Sequence, residues 1–455
     1  MKKRFLCLVL ALLLASPPLP AAALSGNLVS ADATAAYVVR TVPSPTVSST
    51  GGDWAVLGIV RSGYAPDEGW LNTYYSNLTA ALKRTGGKLT ASKYSEYSRA
   101  ILVLTAAGYD PSDVEGYDLT AFLSDYEGTV KQGINGAIWA LIALDCGNYP
   151  SSLREDYIRF ILSRQLTDGG FALGTDRSAD SDPDITAMAL VALSNYFEEP
   201  EVAAAVEKAV LRLSALQCAN GGYESGRAAN SESCAQVLIA LCTLGISSND
   251  ARFVKNGSSV CDALMDYALE DGAFEHSKNG GESGMATEQA LLALDALSLY
   301  TQGRKLFCTF RDVRAHEAQG QIEALAALKM IGGKGNGSFA PDETMTRSQF
   351  CSIIVKALGL KPEYTDQFRD VDENAWYAGH VGAAYAKGII RGASDTEFKP
   401  EDTITILEAE IMVSRAARTM GLGGEEPVWS PDTKQITRGE VAAMVYELIE
   451  RAGVL

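Results

Sequence analysis

The chain has 455 residues, 47% of them hydrophobic and 21% charged, which is enough for two or three domains with cores of their own and too apolar for global disorder. Its net charge of -17 and isoelectric point near 4.8 exclude nucleic acid and anionic membrane as general partners. Any anionic ligand has to be caught by local arginines.

The N-terminus reads Lys2-Lys3-Arg4, then an apolar run over residues 5–15, then small residues ending in Ala21-Ala22-Ala23. That is the layout of a secretory signal peptide, expected over residues 1–23. No later stretch approaches the roughly 20 apolar residues of a membrane span, so the mature chain is expected outside the membrane, with no transmembrane segment. Beyond Cys7 the cysteines (Cys146, Cys218, Cys234, Cys242, Cys261, Cys308, Cys351) are scattered without a CxxC pair, which predicts buried thiols rather than a disulfide framework.

From residue 28 onward, short Ala/Leu-rich helices recur: DWAVLGIVRSG from 53, YSRAILVLTAAG from 97, NGAIWALIALD from 135, DITAMALVAL from 184, ESCAQVLIALCTLG from 232 and ATEQALLALDAL from 286. More polar, amphipathic patterns precede them, for example from 31, 68, 153, 200 and 258. A helix apolar all round is buried and one with a polar stripe covers it. Six such pairs predict six inner helices ringed by six outer ones, an all-α closed (α/α)6 toroid.

A turn recurs between outer and inner helices: Gln165 to Asp168-Gly169-Gly170-Phe171, Gln217 to Asn220-Gly221-Gly222-Tyr223, and Asp271-Gly272 with Phe274. Glycine permits positive φ where a helix ends, and the aromatic is expected to pack back between neighbouring hairpins. Turn and helices together resemble the repeat of the terpenoid cyclase and prenyltransferase superfamily over residues 28–301, which implies a toroid at 24–301. In that superfamily's class II cyclases an acidic DxDD motif protonates an alkene or epoxide. The resemblance assigns the acid's place to Asp184, with Asp182 as the first acid, and Ile185 replaces the last. Read physically, Asp182 is an N-cap, Pro183 the first helical residue and Asp184 a first-turn acid, a setting that favours the carboxylate unless burial raises its pKa. The inner helices are also poor in aromatic residues for stabilising carbocations. A non-catalytic, ligand-binding toroid is therefore expected, with an isoprenoid cyclase using Asp184 as general acid as the alternative. The nearest approach to a prenyltransferase zinc site is Glu232 and Cys234 with His276, whose spacing and residue types depart from that pattern, so neither metal nor cofactor is expected.

A second repeat begins near residue 302. Phe310-Arg311-Asp312-Val313 recurs as Phe368-Arg369-Asp370-Val371, and a Gly-rich stretch ending Phe339-Ala340-Pro341 recurs as one ending Phe398-Lys399-Pro400. These resemble S-layer homology repeats, at 308–360, 366–422 and a truncated 425–455 that keeps Trp429-Ser430-Pro431 and Ile436-Thr437-Arg438-Gly439-Glu440 without an opening helix. Such repeats typically form a three-pronged unit, which the shortened third copy puts in question. In their hallmark helix starts, Thr346 with Gln349, Thr405 with Glu408 and Thr437 with Glu440 form capping boxes. The arginine beside the cap has no such task. The resemblance implies that it binds anionic secondary cell-wall polysaccharide, a role falling to Arg347 and Arg438, the latter contributing less; Ile406 stands in the second copy. A secreted protein anchored at the cell wall is the expectation.

Overall fold

The computed structural model describes residues 30–67, 69–176, 178–423, 425–427 and 434–454. The expected signal peptide, Cys7 and Trp429-Ser430-Pro431 lie outside them. The chain divides into two compact units, one running to Arg311 and including Gly335–Gly337, the other comprising Asp312–Lys334 and Ser338 onward.

In the first unit, α1 (Ala31–Thr41), α3 (Gly69–Thr85), α5 (Tyr126–Val130), α7 (Arg154–Ser163), α9 (Pro200–Leu216) and α11 (Val260–Met265) alternate with α2 (Trp54–Ser62), α4 (Ser95–Ala107), α6 (Ile134–Cys146), α8 (Pro183–Leu193), α10 (Ser231–Thr243) and α12 (Gly284–Tyr300). The second set is buried nearly all round, as its composition demands, while the first buries one stripe. Each inner helix packs on the next, α2 on α4, α4 on α6, α6 on α8, α8 on α10 and α10 on α12, and α12 closes on α2. The all-α (α/α)6 toroid is thus present. Two outer positions depart from the expected long helices. The third is a 3-10 turn at Thr120–Ser124 followed by the short α5, and the sixth opens with a two-residue hairpin at Val254–Lys255 and Ser258–Ser259 before α11.

The recurring turn is explained by its bonds. Gln165 Nε2 donates to Gly169 O and to Ala205 O on the next outer helix, both at 2.8 Å, and Gln217 Nε2 does the same to Gly221 O at 2.9 Å and Phe253 O at 2.8 Å. One amide therefore closes its own turn and stitches it to the following hairpin. Gly221 has φ of +85° and an added Cβ would lie 2.6 Å from Ser259 O, so position and conformation both require glycine. Phe171, Tyr223 and Phe274 are fully buried behind these turns.

The second unit contains α13 (Gln319–Ala327), α14 (Arg347–Ala357), α15 (Ala378–Ala386), α16 (Ile406–Thr419) and α17 (Arg438–Arg451). Helices α14, α16 and α17 pack mutually, with α15 against α14 and α13 against α17. Their capped starts are linked in a cycle by the bridges Thr346 to Thr403, Thr405 to Gln435 and Thr437 to Thr344. The third copy therefore joins the other two despite lacking an opening helix. Beside α16, Glu426 receives Arg415 Nε at 3.0 Å and also pairs with Arg418.

The motif aspartates act as clamps. Asp312 accepts the N–H groups of Phe339 and Ala340, both at 2.7 Å, and Asp370 those of Phe398 at 2.8 Å and Lys399 at 2.6 Å. Ala340 and Lys399 sit at φ of +59° and +57°, which a side-chain-bearing residue adopts at a cost. Asp370→Ala frees two backbone donors and releases that turn, and should destabilise the unit by about 1–3 kcal/mol. A urea unfolding midpoint unchanged in Asp370→Ala would refute the clamp.

Candidate functional site

Because inner and outer helices alternate in direction, the six inner helices run parallel and their N-termini gather at one end of the ring. Close to these starts Trp54, Glu96, Arg99, Asn135, Asp184, Met188, Gln236 and Gln289 keep partial exposure among buried neighbours, and Met285 is exposed. Ring neighbours flank every inner helix and an outer element backs it, so the exposed stripe faces the axis. Gln236 Nε2 donates to Gln289 Oε1 at 3.0 Å across adjacent helices, which agrees with that orientation. The mouth is consequently lined mainly by amide, guanidinium and carboxyl groups.

Aromatic rings lie on the axis as well, contrary to the expectation from composition. Trp54 and Trp139 have ring centroids 5.0 Å apart although α2 and α6 are not neighbours, so they meet across the interior. Phe307, from the segment after α12, contacts Trp139 at 5.9 Å. Local sequence could not show this, because the two tryptophans belong to different repeats.

Asp182 caps α8 through Oδ1, which accepts the N–H groups of Asp184 and Ile185, each at 3.0 Å. Ser225 donates to its other oxygen at 2.6 Å. Asp184 is a first-turn acid as read, and the condition attached to that reading is met. Burial pushes its pKa up to about 6, the nearby Ser233 hydroxyl offsetting part of the rise and Asp182 and Glu232 adding to it. Its Oδ1 has no hydrogen-bond partner among the described residues.

Sequence reading overlooked a second acidic pair at the seam where α12 closes on α2. Asp53, with no exposure at all, accepts Tyr74 Oη at 2.8 Å and Arg99 Nε at 3.1 Å. Burial raises its pKa to about 6, with Arg99 and the Tyr74 hydroxyl opposing. Arg99 in turn lies over the Trp54 ring, 5.7 Å from its centroid. Glu288, 2% exposed, accepts the Gly51 N–H at 2.8 Å on Oε1, whereas Oε2 has no partner among the described residues. Burial, then the charge of Asp53, lifts it to about 7 against the Gly51 bond. The available signal was the pair of acids, Glu288 and Asp295, within the apolar pattern from 286, and Asp53-Trp54 at the first inner helix.

His276, the histidine of the zinc comparison, has Nδ1 2.8 Å from Glu232 Oε2 while its side chain stays 55% exposed. Cys234 is buried, and burial pushes its thiol up to about 12. No group of three or more His, Cys, Asp or Glu residues suited to a metal occurs among the described residues.

In the second unit Arg347 is 8% exposed, and its guanidinium is already engaged: Nε donates to Phe398 O at 2.9 Å and Nη1 to Glu408 Oε1 at 2.5 Å, over the Phe398 ring. The reading that this arginine has no structural task is corrected. Glu408, the capping residue of the second copy, holds the arginine of the first. Arg438 repeats the arrangement on Phe339, donating to Phe339 O at 2.8 Å and Gly332 O at 2.9 Å, but it is only half-buried and forms no carboxylate pair among the described residues.

The S-layer homology domain family matches residues 309–351 and 367–409. The surface layer protein of Brevibacillus choshinensis is 37% identical over 100 residues, 21% of this chain and 9% of that protein. The matched part of the chain spans between 8% and 29% of the length of the curated relatives. Among solved structures, the unsaturated glucuronyl hydrolase of Bacillus sp. GL1 covers 58% of this chain and 94% of its own at 13% identity and a TM-score of 0.39. A type II terpene cyclase from Scytonema covers 59% of this chain and 95% of its own at 13% identity and a TM-score of 0.38. The S-layer homology domains and the surface-layer relatives indicate a cell-surface chain associated with the cell wall. No described helix is long and apolar enough to cross a membrane.

Proposed function

We propose that this chain is held non-covalently on anionic secondary cell-wall polysaccharide by its C-terminal repeats and displays a toroid, over residues 24–301, that binds a polar ligand at the mouth of its inner helices without transforming it. The observation that carries the toroid's part is the set of partly exposed residues near the inner-helix starts, which are mostly polar. Planar amides and a guanidinium there are hydrogen-bonding groups, which water-free carbocation chemistry does not need and a hydroxyl- or amide-bearing ligand does.

For the wall contact, Arg438 is the stronger donor and Arg347 the weaker, reversing the order read from repeat completeness. Arg347 spends its charge on a direct pair with Glu408, whereas Arg438 donates to carbonyls and feels the Glu343 and Asp312 carboxylates without pairing with either.

A second reading, an isoprenoid cyclase, gains support from the raised pKa of Asp184 and from the tryptophan pair on the axis. Incubating the full chain with squalene and with geranylgeranyl diphosphate separates the two. The binding reading expects recovery of unchanged substrate. A cyclised product that disappears in Asp184→Asn would establish the cyclase instead.

A further inference from the structure

The cycle of capped helix starts in the second unit repeats one frame from junction to junction. Where the first copy meets the second, Arg347 N–H donates to Asp402 O, Ser348 N–H to Pro400 O and Arg347 Nε to Phe398 O. Where the third meets the first, Arg438 N–H donates to Glu343 O, Gly439 N–H to Pro341 O and Arg438 Nε to Phe339 O. Each acceptor stands as far before Gln349 in the chain as its counterpart stands before Glu408. Gln349 therefore has, towards Arg438, the place that Glu408 has towards Arg347.

The two capping residues do the same local work and differ in charge. Glu408 accepts the Thr405 N–H on Oε2 at 3.0 Å and turns Oε1 to Arg347 Nη1 at 2.5 Å. Gln349 accepts the Thr346 N–H on Oε1 at 3.2 Å, which leaves Nε2 as the atom on the arginine side. The group that neutralises the guanidinium at one junction is thus a second donor at the other. Arg438 Nη1 and Gln349 Nε2 have no hydrogen-bond partner among the described residues.

The surrounding acids do not take the place of Glu408. Glu343 and Asp312 lie close enough for Arg438 to feel their charge, but Glu343 pairs with Lys334, and Asp312 accepts the N–H groups of Phe339 and Ala340. At the remaining junction Ile406 N–H donates to Lys434 O, and Glu440 pairs with Lys434 Nζ at 3.2 Å. No guanidinium stands there.

We infer that Gln349 determines which junction binds: an anionic group of the wall polymer is held by Arg438 together with Gln349 Nε2, while Glu408 closes the equivalent place at Arg347. A paired carboxylate competes with an anion for the same donors, and a neutral amide adds a donor to them. This rests on the wall-binding reading and adds the residue that decides which copy acts.

The test is sedimentation of the full chain with intact walls and with walls stripped of their secondary polysaccharide. Gln349→Glu preserves the capping box, as Glu does beside Thr405 and Thr437, so its melting temperature should be unchanged. It should nevertheless bind intact walls about tenfold weaker or worse, like Arg438→Gln. Adding Glu408→Gln to Arg438→Gln should recover binding by roughly fivefold, through a released Arg347. Adding Glu410→Gln instead, an exposed acid on the same helix with the same change of charge, should recover none. A Gln349→Glu variant that binds like wild type overturns the inference. So does the absence of recovery in a folded Glu408→Gln variant, or equal recovery by Glu410→Gln. If wild type pellets equally on intact and stripped walls, the wall-binding reading itself fails, and the inference with it.

Discussion

Arg347→Ala is expected to destabilise the C-terminal unit itself, not merely weaken its grip on the wall. The side chain is buried, bonds Phe398 O, pairs with Glu408 and covers the Phe398 ring. Removing it leaves a buried carbonyl without its donor and strips a carboxylate of its partner, while the lost stem leaves a gap against Phe398. Glu408 is 42% exposed and can be rehydrated, which discounts the ion-pair share. A loss of about 2–4 kcal/mol follows, mostly from the carbonyl and the packing. Arg347→Lys should lose somewhat less, because the ammonium reaches one acceptor and not two. Chemical denaturation followed by a probe in the C-terminal unit measures both. An Arg347→Ala variant as stable as wild type would mean that the internal bonds do not form in solution.

Raising the pH from 5 to 7.5 is expected to destabilise the toroid. Glu288 has its folded pKa raised from an ordinary 4.5 to about 7, so the folded state holds a proton that the unfolded chain has released between those values. The contribution of Glu288 therefore falls as pH rises through that window and levels off above it, while Asp295, buried on α12 and pushed well above the ordinary carboxylate range, acts in the same direction. The Glu288 shift corresponds to about 3 kcal/mol, as an order of magnitude. Asp53 and Asp184, each raised from 3.8 to about 6, act in the same direction at slightly lower pH. Asp168 and Asp250 have lowered values, and the stability they contribute is lost only as pH falls below about 3.8, outside the window. Glu288→Gln keeps the acceptor for Gly51 and removes the ionisation. It should raise the melting temperature at pH 7.5 and leave it nearly unchanged at pH 5. A melting temperature that rises between pH 5 and 7.5 in wild type contradicts the burial of these acids.

The ring was legible because a helix apolar on every side has only one place to go, and six of them in register with a repeated turn have one closed arrangement. The capping boxes were legible for a similar reason: Thr and Glu three positions apart meet within a single turn of helix. What escaped the sequence depends on closure. Asp53 and Glu288 are more than half the ring apart along the chain and become neighbours only when α12 packs on α2. Trp54 and Trp139 meet across an interior whose width no local pattern specifies. Arg347 read as a spare cation because its partner Glu408 stands 61 residues away, on the next copy of the repeat. The protonation of Asp184 was left open for the same kind of reason, since charge at a helix N-terminus is visible in sequence and depth of burial is not.

The central claim, that the C-terminal repeats hold the protein on wall polysaccharide through an arginine at a capped helix start, is tested most directly by sedimentation with purified cell walls. The full chain should pellet with intact walls and remain in solution with walls stripped of their secondary polysaccharide. Arg438→Gln, with its melting temperature preserved, should lose about ten- to a hundredfold in affinity, the worth of one charge-assisted contact. Equal pelleting on intact and stripped walls, or an Arg438→Gln variant that sediments like wild type, would contradict it.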